Sequence, residues 1–155
     1  MKTGGVSVAK QPNTEKLVVT VDYGSIVEEM VRAGSYNYAN PDITSQNFTT
    51  TRGGEWQGEV ILVHFGRVIG SDDALAELEK MGLRTGGLHE LLAVGVQHPD
   101  KQREFPIVAL GSGWQRPDGD RGVPFLGSWD GLRELYLRWF GVDWYEHCRF
   151  LAFCK

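Results

Sequence analysis

His147 and Cys148 are adjacent near the end of the chain, a base and a nucleophile by type. On a strand, though, neighbouring side chains point to opposite faces, so the pair cannot form a dyad. His64 lies inside the apolar run VILVHF and reads as a core or edge histidine. His89 beside Glu90 reads as solvated, and His98 before Pro99 as part of a helix end. Gly111-Ser112-Gly113 matches a fragment of a nucleophile elbow or phosphate loop, but no helix follows it and the motif is incomplete. Asp118-Gly119-Asp120 lacks the alternating acids and terminal glutamate of a calcium loop. The histidines and the two cysteines have no zinc-site spacing, so neither a metal nor a cofactor is expected.

The richer grouping runs from Phe125 to Lys155. Trp129, Trp139 and Trp144 fall here, with Tyr136, Tyr145, Glu134, Arg138, Glu146 and His147 between them. Large amphipathic side chains give contact area at small entropic cost, which is why binding surfaces use Tyr, Trp and Arg. Leu135, Leu137 and Trp139 alternate with Glu134, Tyr136 and Arg138, which predicts an apolar inner face and a polar outer one. By the same reading Trp139 is core, and Trp114 and Trp144 can be core as well. Gly127 to Gly131 and Val142 to His147 read as loops, and loops on rigid scaffolds carry function.

The elements that position this segment follow from pattern. Leu17 to Tyr23 is a β-branched strand. Ser25 is placed to cap a helix to Ala33 that ends at Gly34. The turn-rich stretch Ser35 to Gly54 is expected to be pinned by Tyr36, Tyr38 and Phe48. Glu55 to Ile69 holds consecutive apolar residues, as in a strand covered on both faces. Ser71 and Thr85 are candidate caps of two more helices, the first closed by Gly82. Pro99 opens a short turn to Phe105. Ile107 to Trp114 reads as one strand, Arg116 to Gly119 as a turn, Val123 to Leu126 as a returning strand, and Phe150 to Cys154 as the last. The order predicts one α+β domain with a mainly antiparallel sheet and two to three helices over residues 17–155, after a flexible tail at 1–16.

Composition narrows the function classes. A hydrophobic fraction of 41% fits one globular domain with a real core. A net charge of −4 with scattered Lys and Arg argues against nucleic acid as a partner. No stretch of about 18 apolar residues predicts a membrane span, and Met1 to Lys16 has no apolar signal core, so the default expectation is cytoplasmic. On one extended strand Cys148 and Cys154 would stand roughly 20 Å apart, too far for a bridge.

Four blocks then look familiar: GLRTGGLHELLAVG (82–95), FPIVALGSGW (105–114), VPFL (123–126) and RFLAFCK (149–155). They resemble a family of small proteins from little-cultivated microbes that share this frame and differ mainly between the last two blocks. That layout is similar to the variable proteins of diversity-generating retroelements, in which a C-terminal repeat is rewritten within a C-type-lectin-like fold, on the branch of the formylglycine-generating enzymes. The resemblance implies diversified, ligand-binding positions at Phe125, Gly127, Ser128, Trp129, Asp130, Gly131, Glu134, Tyr136, Arg138, Val142, Tyr145, Glu146, His147 and Cys148. These largely coincide with the outward positions given by the alternation. The lectins' Glu-Pro-Asn and Trp-Asn-Asp motifs are absent, so calcium-dependent sugar binding is not implied. The cysteines do not reproduce the enzyme branch's catalytic arrangement. The expectation is a non-enzymatic binding protein with a protein ligand and an undetermined oligomeric state. The alternatives are a small enzyme using His64 with carboxylates of the 35–55 loop, or a homo-oligomeric structural module.

Overall fold

Strand β3 (Glu55–His64) carries Val60, Ile61, Leu62 and Val63 in succession, all buried, so both of its faces must be covered. The computed structural model describes residues 12–155, and in it β3 is an interior strand of the main sheet, one in from the edge. On one side it pairs along its length with β1 (Asn13–Asp22), and on the other with β11 (Arg149–Cys154), both antiparallel. Thus the first and last strands flank a common neighbour. Beyond β11 come β6 (Ile107–Val108), β8 (Arg121–Trp129), β9 (Leu132–Trp139) and β2 (Tyr38–Ala39). The strands β5 (Leu83–Thr85) and β7 (Trp114–Gln115) add to β11 and β8. A separate ribbon pairs β4 (Ile69–Gly70) with β10 (Asp143–Trp144). Among the described residues only the β11–β6 and β2–β9 pairings are parallel.

Alternation splits the apolar side chains into two cores. Val60, Leu62, Leu151, Ile107, Leu126 and Leu135 join Leu88, Leu91 and Leu92 of helix α3 (Leu88–Gln97) and Val27 of helix α1 (Val27–Gly34). On the opposite face Ile61, Val63, Phe150, Val108 and Val123 meet Ala74 and Leu78 of helix α2 (Ser71–Lys80), together with Trp144. A short fourth helix, α4 (Lys101–Glu104), precedes β6. The described residues thus form a single α+β domain with a mainly antiparallel sheet and four helices.

Several local expectations change. Asn13 to Lys16 belong to β1 rather than to a tail, and residues 1–11 lie outside the described residues. Ser25 does not cap α1; its hydroxyl donates to Asp22, whose carboxylate at the strand end is the stronger acceptor. Ser71 is the first residue of α2, and its hydroxyl donates to the Phe140 carbonyl while accepting from the Trp144 indole. Thr85 pairs with Ala152 in the sheet, and the residue that caps α3 is instead Gly87, whose N–H is held by Glu90 at 2.6 Å. Ile107 to Trp114 is not one strand, because the chain leaves the ladder after Val108 and Gly111 turns to donate to the Gly86 carbonyl. Tyr38, expected to anchor its loop, is 43% exposed, whereas Phe48 is buried as expected.

Among the described residues, one cation is buried without a carboxylate partner. Arg133, on the inner face of β9, donates to the carbonyls of Gly34 (2.6 Å), Gly95 (2.6 Å) and Pro99 (3.1 Å). The first two carbonyls lie at the C-terminal ends of α1 and α3, where orphan acceptors and the negative end of the helix dipole favour a cation. The guanidinium also lies 4.8 Å from the centre of the Tyr36 ring. That ring fits flat only because Gly34 and Gly95 lack side chains. A Cβ on Gly95 would come within 2.0 Å of the Tyr36 hydroxyl.

Arg133→Met should therefore lower unfolding stability in urea by about 3 kcal/mol, since three buried carbonyls lose their donor. A loss as small as that of the exposed Arg32→Met would refute this account. Gly95→Ala normally favours a helix, but here it should cost about 1–3 kcal/mol through overpacking. Adding Tyr36→Phe removes the clashing oxygen, which has no hydrogen-bond partner among the described residues, and should restore part of that loss in a double-mutant cycle.

Candidate functional site

The turn between β8 and β9 is fixed by two residues. Asp130 (φ 54°) and Gly131 (φ 80°) both take left-handed backbone between paired Trp129 and Leu132, the geometry of a two-residue hairpin loop with an Asp-Gly signature. Gly127, Ser128 and Trp129, expected in a loop, are therefore strand. From the helix side, Gln102 donates to the carbonyls of Gly127 and Glu134, and Arg103 to that of Gly131. The hairpin is held from behind, leaving its other face free.

Register decides what that face carries. Phe125, Gly127 and Trp129 of β8 stand opposite Tyr136, Glu134 and Leu132 of β9, with Arg138 opposite Val123. Trp129 is 74% exposed and Leu132 48%, while Phe125, Glu134, Tyr136 and Arg138 are half-buried. Tyr38 joins from β2 beside Glu134. Ring centres run from Tyr38 to Tyr136 (5.5 Å), on to Phe125 (5.4 Å) and then to the buried Trp144 (6.1 Å). Arg138 lies over Trp144 (5.8 Å) and Tyr145 (5.2 Å), and Tyr145, 58% exposed, stacks on His147. Burial, with the Glu134 carboxylate beside it, pushes the Tyr136 phenol up to about 12.

The predicted set divides on this geometry. Trp129, Glu134, Tyr136, Arg138 and Phe125 share the open face, and Tyr145 and His147 continue it through Arg138. Asp130 and Gly131 form the exposed tip, and Glu146 is exposed while its carbonyl bonds His64. Ser128 points to the opposite face by strand parity, and Gly127 is buried and contributes backbone alone. Val142 is half-buried and lines a separate hollow with Ser71 and Phe140. Cys148 is interior, 4% exposed in the second core, where burial pushes its thiol pKa up. Trp139, expected in the core, is 40% exposed under Arg116, because the helices do not reach that end of β9. Sequence reasoning missed Leu132 and Tyr38. The parity of Glu134 already placed Leu132 outward, whereas nothing local signals that Tyr38 docks on β9.

A second group was read as unremarkable. His89 is buried, 7% exposed, not solvated. Its imidazole lines two adjoining cavities of about 320 and 250 Å³, beside Tyr23 and near Glu90 and Arg52. The Tyr23 hydroxyl donates to Glu90 at 2.6 Å and accepts from Arg52 at 2.9 Å. Burial, reinforced by the Glu90 carboxylate, pushes the Tyr23 phenol well above its ordinary range. His64 is elsewhere, its Nε2 donating to the Glu146 carbonyl, and no acid of the 35–55 loop lines its hollow. Among the described residues no cluster of three or more His, Cys, Asp or Glu is arranged to hold a metal, and no helix is long and apolar enough to cross a membrane.

Neither a family model, nor a curated protein, nor a solved structure matches this chain.

Two outcomes check these placements. One thiol, Cys154, should react promptly with a maleimide in the folded protein, and Cys154→Ser should abolish that reaction, with Cys148 labelling only on unfolding. Burial holds the His89 imidazole below the usual histidine range, against the pull of Glu90. The unfolded chain therefore binds the proton first, so stability falls as pH drops below about 6.5. His89→Gln should flatten that slope in urea titrations between neutral and mildly acidic pH; an unchanged slope would count against it.

Proposed function

We propose that this chain is a non-enzymatic binding protein whose β8–β9 face receives a protein ligand. The observation that carries this reading is one ladder face on which Trp129, Leu132 and Tyr38 are exposed, with Tyr145 beyond them and half-buried Tyr136 and Arg138 between. Rigid aromatic and arginine groups on a backed hairpin lose little freedom on binding, which suits them as anchors. The half-buried base of the patch fits a shallow docking surface rather than an enclosed reaction chamber.

We further read the chain as a C-type-lectin-like variable protein of a diversity-generating retroelement. The four sequence blocks support this reading, as does a sheet in which first and last strands flank one neighbour. The open face also lies between the VPFL and RFLAFCK blocks, where the resemblance expects diversity. The genomic expectation is a reverse transcriptase gene and a near-copy of the 3′ coding segment close to this gene. Their absence would remove the retroelement assignment while leaving the binding face untouched.

For the face itself, the test is capture of partners from the native host by wild type and by Trp129→Ala, Tyr136→Ala, Arg138→Ala and Tyr145→Ala. At least one substitution should weaken binding of a captured protein by about 2 kcal/mol, roughly 30-fold, while Val68→Ser binds as wild type. If all four bind like wild type, the assignment fails. A concentration-dependent dimer in light scattering that Trp129→Ala dissociates would make a second copy the occupant.

A further inference from the structure

The cavity beside His89 shares no residue with the aromatic face, so it needs its own account. It has two lobes with Tyr23, Thr49, Thr50 and His89 common to both. One lobe is polar, bounded by Arg52, Glu90 and Ser112. The other is lined in part by Ile26, Val27 and Phe48. Together they offer the volume of a small-molecule site.

Three features distinguish this hollow from a packing defect. His89 is 7% exposed as a whole residue, and its ring nitrogens, which have no hydrogen-bond partner among the described residues, are not fully enclosed. An imidazole left without a protein partner on an accessible wall is free to hydrogen-bond a molecule that enters the hollow. Second, the negative charge of Glu90 is already compensated. It takes the Tyr23 hydroxyl and the Gly87 N–H, and sits in the first turn of α3, where the helix dipole is positive. Third, Arg52 has no carboxylate within ion-pairing distance among the described residues. Its side-chain partner is the neutral Tyr23 hydroxyl, and its guanidinium carbon lies 4.9 Å and 5.9 Å from the Tyr23 and Phe153 ring centres. A stacked guanidinium with free N–H groups is preorganised for a planar oxyanion.

We propose that this cavity binds a small organic carboxylate, its head group on Arg52, its apolar body against Phe48 and Val27, and His89 hydrogen-bonded to a polar substituent. The carboxylate is favoured over a larger anion because one guanidinium fork is the whole cationic complement of the lining. Ser112 can add a donor, since its oxygen accepts from the Leu88 N–H and its proton remains free.

The test is a nuclear magnetic resonance titration of the full chain with sodium benzoate, at ionic strength held constant with sodium chloride. Saturable shifts should appear at Tyr23, Thr50, Arg52, His89 and Ser112, with a dissociation constant of about 1 mM or tighter. Arg52→Gln should weaken binding at least about tenfold, Arg52→Lys by less, and Val68→Ser should titrate as wild type. The amide spectrum of each variant reports that it is folded. No saturable shift, unchanged affinity in Arg52→Gln, or equal displacement by chloride would overturn the site. Tighter binding of inorganic phosphate at the same resonances would overturn the carboxylate assignment.

Discussion

A buried arginine without a carboxylate sets the geometry of this protein. Arg133 is stable in the interior because the ends of two helices supply carbonyl oxygens that have no intrahelical partner. Removing a cation from water costs several kcal/mol, and only a full set of acceptors offsets it. Three carbonyls and the Tyr36 ring make up that set, drawn from α1, α3 and the segment before α4. Strand β9 is thereby locked against both helices at one residue. A slip of one position would expel Arg133 and turn Leu132 and Glu134 inward, so the register is fixed by a polar contact as much as by packing. The same lock leaves Leu132, Glu134, Tyr136 and Arg138 facing away.

What those residues face depends on how far the second core extends. Its cover, α2 with the β4–β10 ribbon, reaches Val123 and Trp144 and stops short of Trp129. Exposure rises along the same face, from buried Val123 through half-buried Phe125 to open Trp129. Trp129 and Leu132 are thereby left uncovered at the tip of the hairpin. The long edge of β1 shows the contrast. There Gln97 bonds both the N–H and the carbonyl of Thr20, and His98 bonds the carbonyl of Val18. A helix end thus imitates a strand partner and blunts an edge that would otherwise pair with another chain.

Period-two and period-3.6 patterns made the order of elements legible, because burial of alternate residues is a property of each segment by itself. The doubly covered strand around Val60 to Val63, the closing strand at Phe150 and the turn at Arg116 to Gly119 all follow that logic. Caps were less legible. Ser25, Ser71 and Thr85 have the right chemistry, but each hydroxyl or backbone group is claimed by a residue distant in sequence or by a stronger acceptor. The open face was half visible. Parity placed Glu134, Tyr136 and Arg138 outward, yet it put Trp139 inside and could not reveal Tyr38, whose position is set by docking onto β9. Arg133 was invisible because charge at an inward position contradicts the pattern, and its compensation comes from helix ends 38 and 99 residues away in sequence. His89 was misread for the same reason, since a cavity wall is assembled by tertiary contacts.

The proposed role of the face also implies where its sequence is free to change. At Trp129, Tyr145, Glu146 and His147 the side chains are exposed, so replacement alters the surface without altering the cores. Gly131 is different, because its positive φ fixes the hairpin turn and most side chains strain there. Gly127 packs beneath Phe125, 3.3 Å from a would-be Cβ, and its carbonyl is one of two that hold Gln102. Cys148 fills part of the second core beside Trp144 and Phe150, where a larger residue would overpack and a charged one would be stranded. A diversified version of this protein would therefore vary the rim and tip broadly, the strand face within aromatic or long polar types, and these three positions least. Any such diversity would be bounded by the same contacts that keep the face rigid.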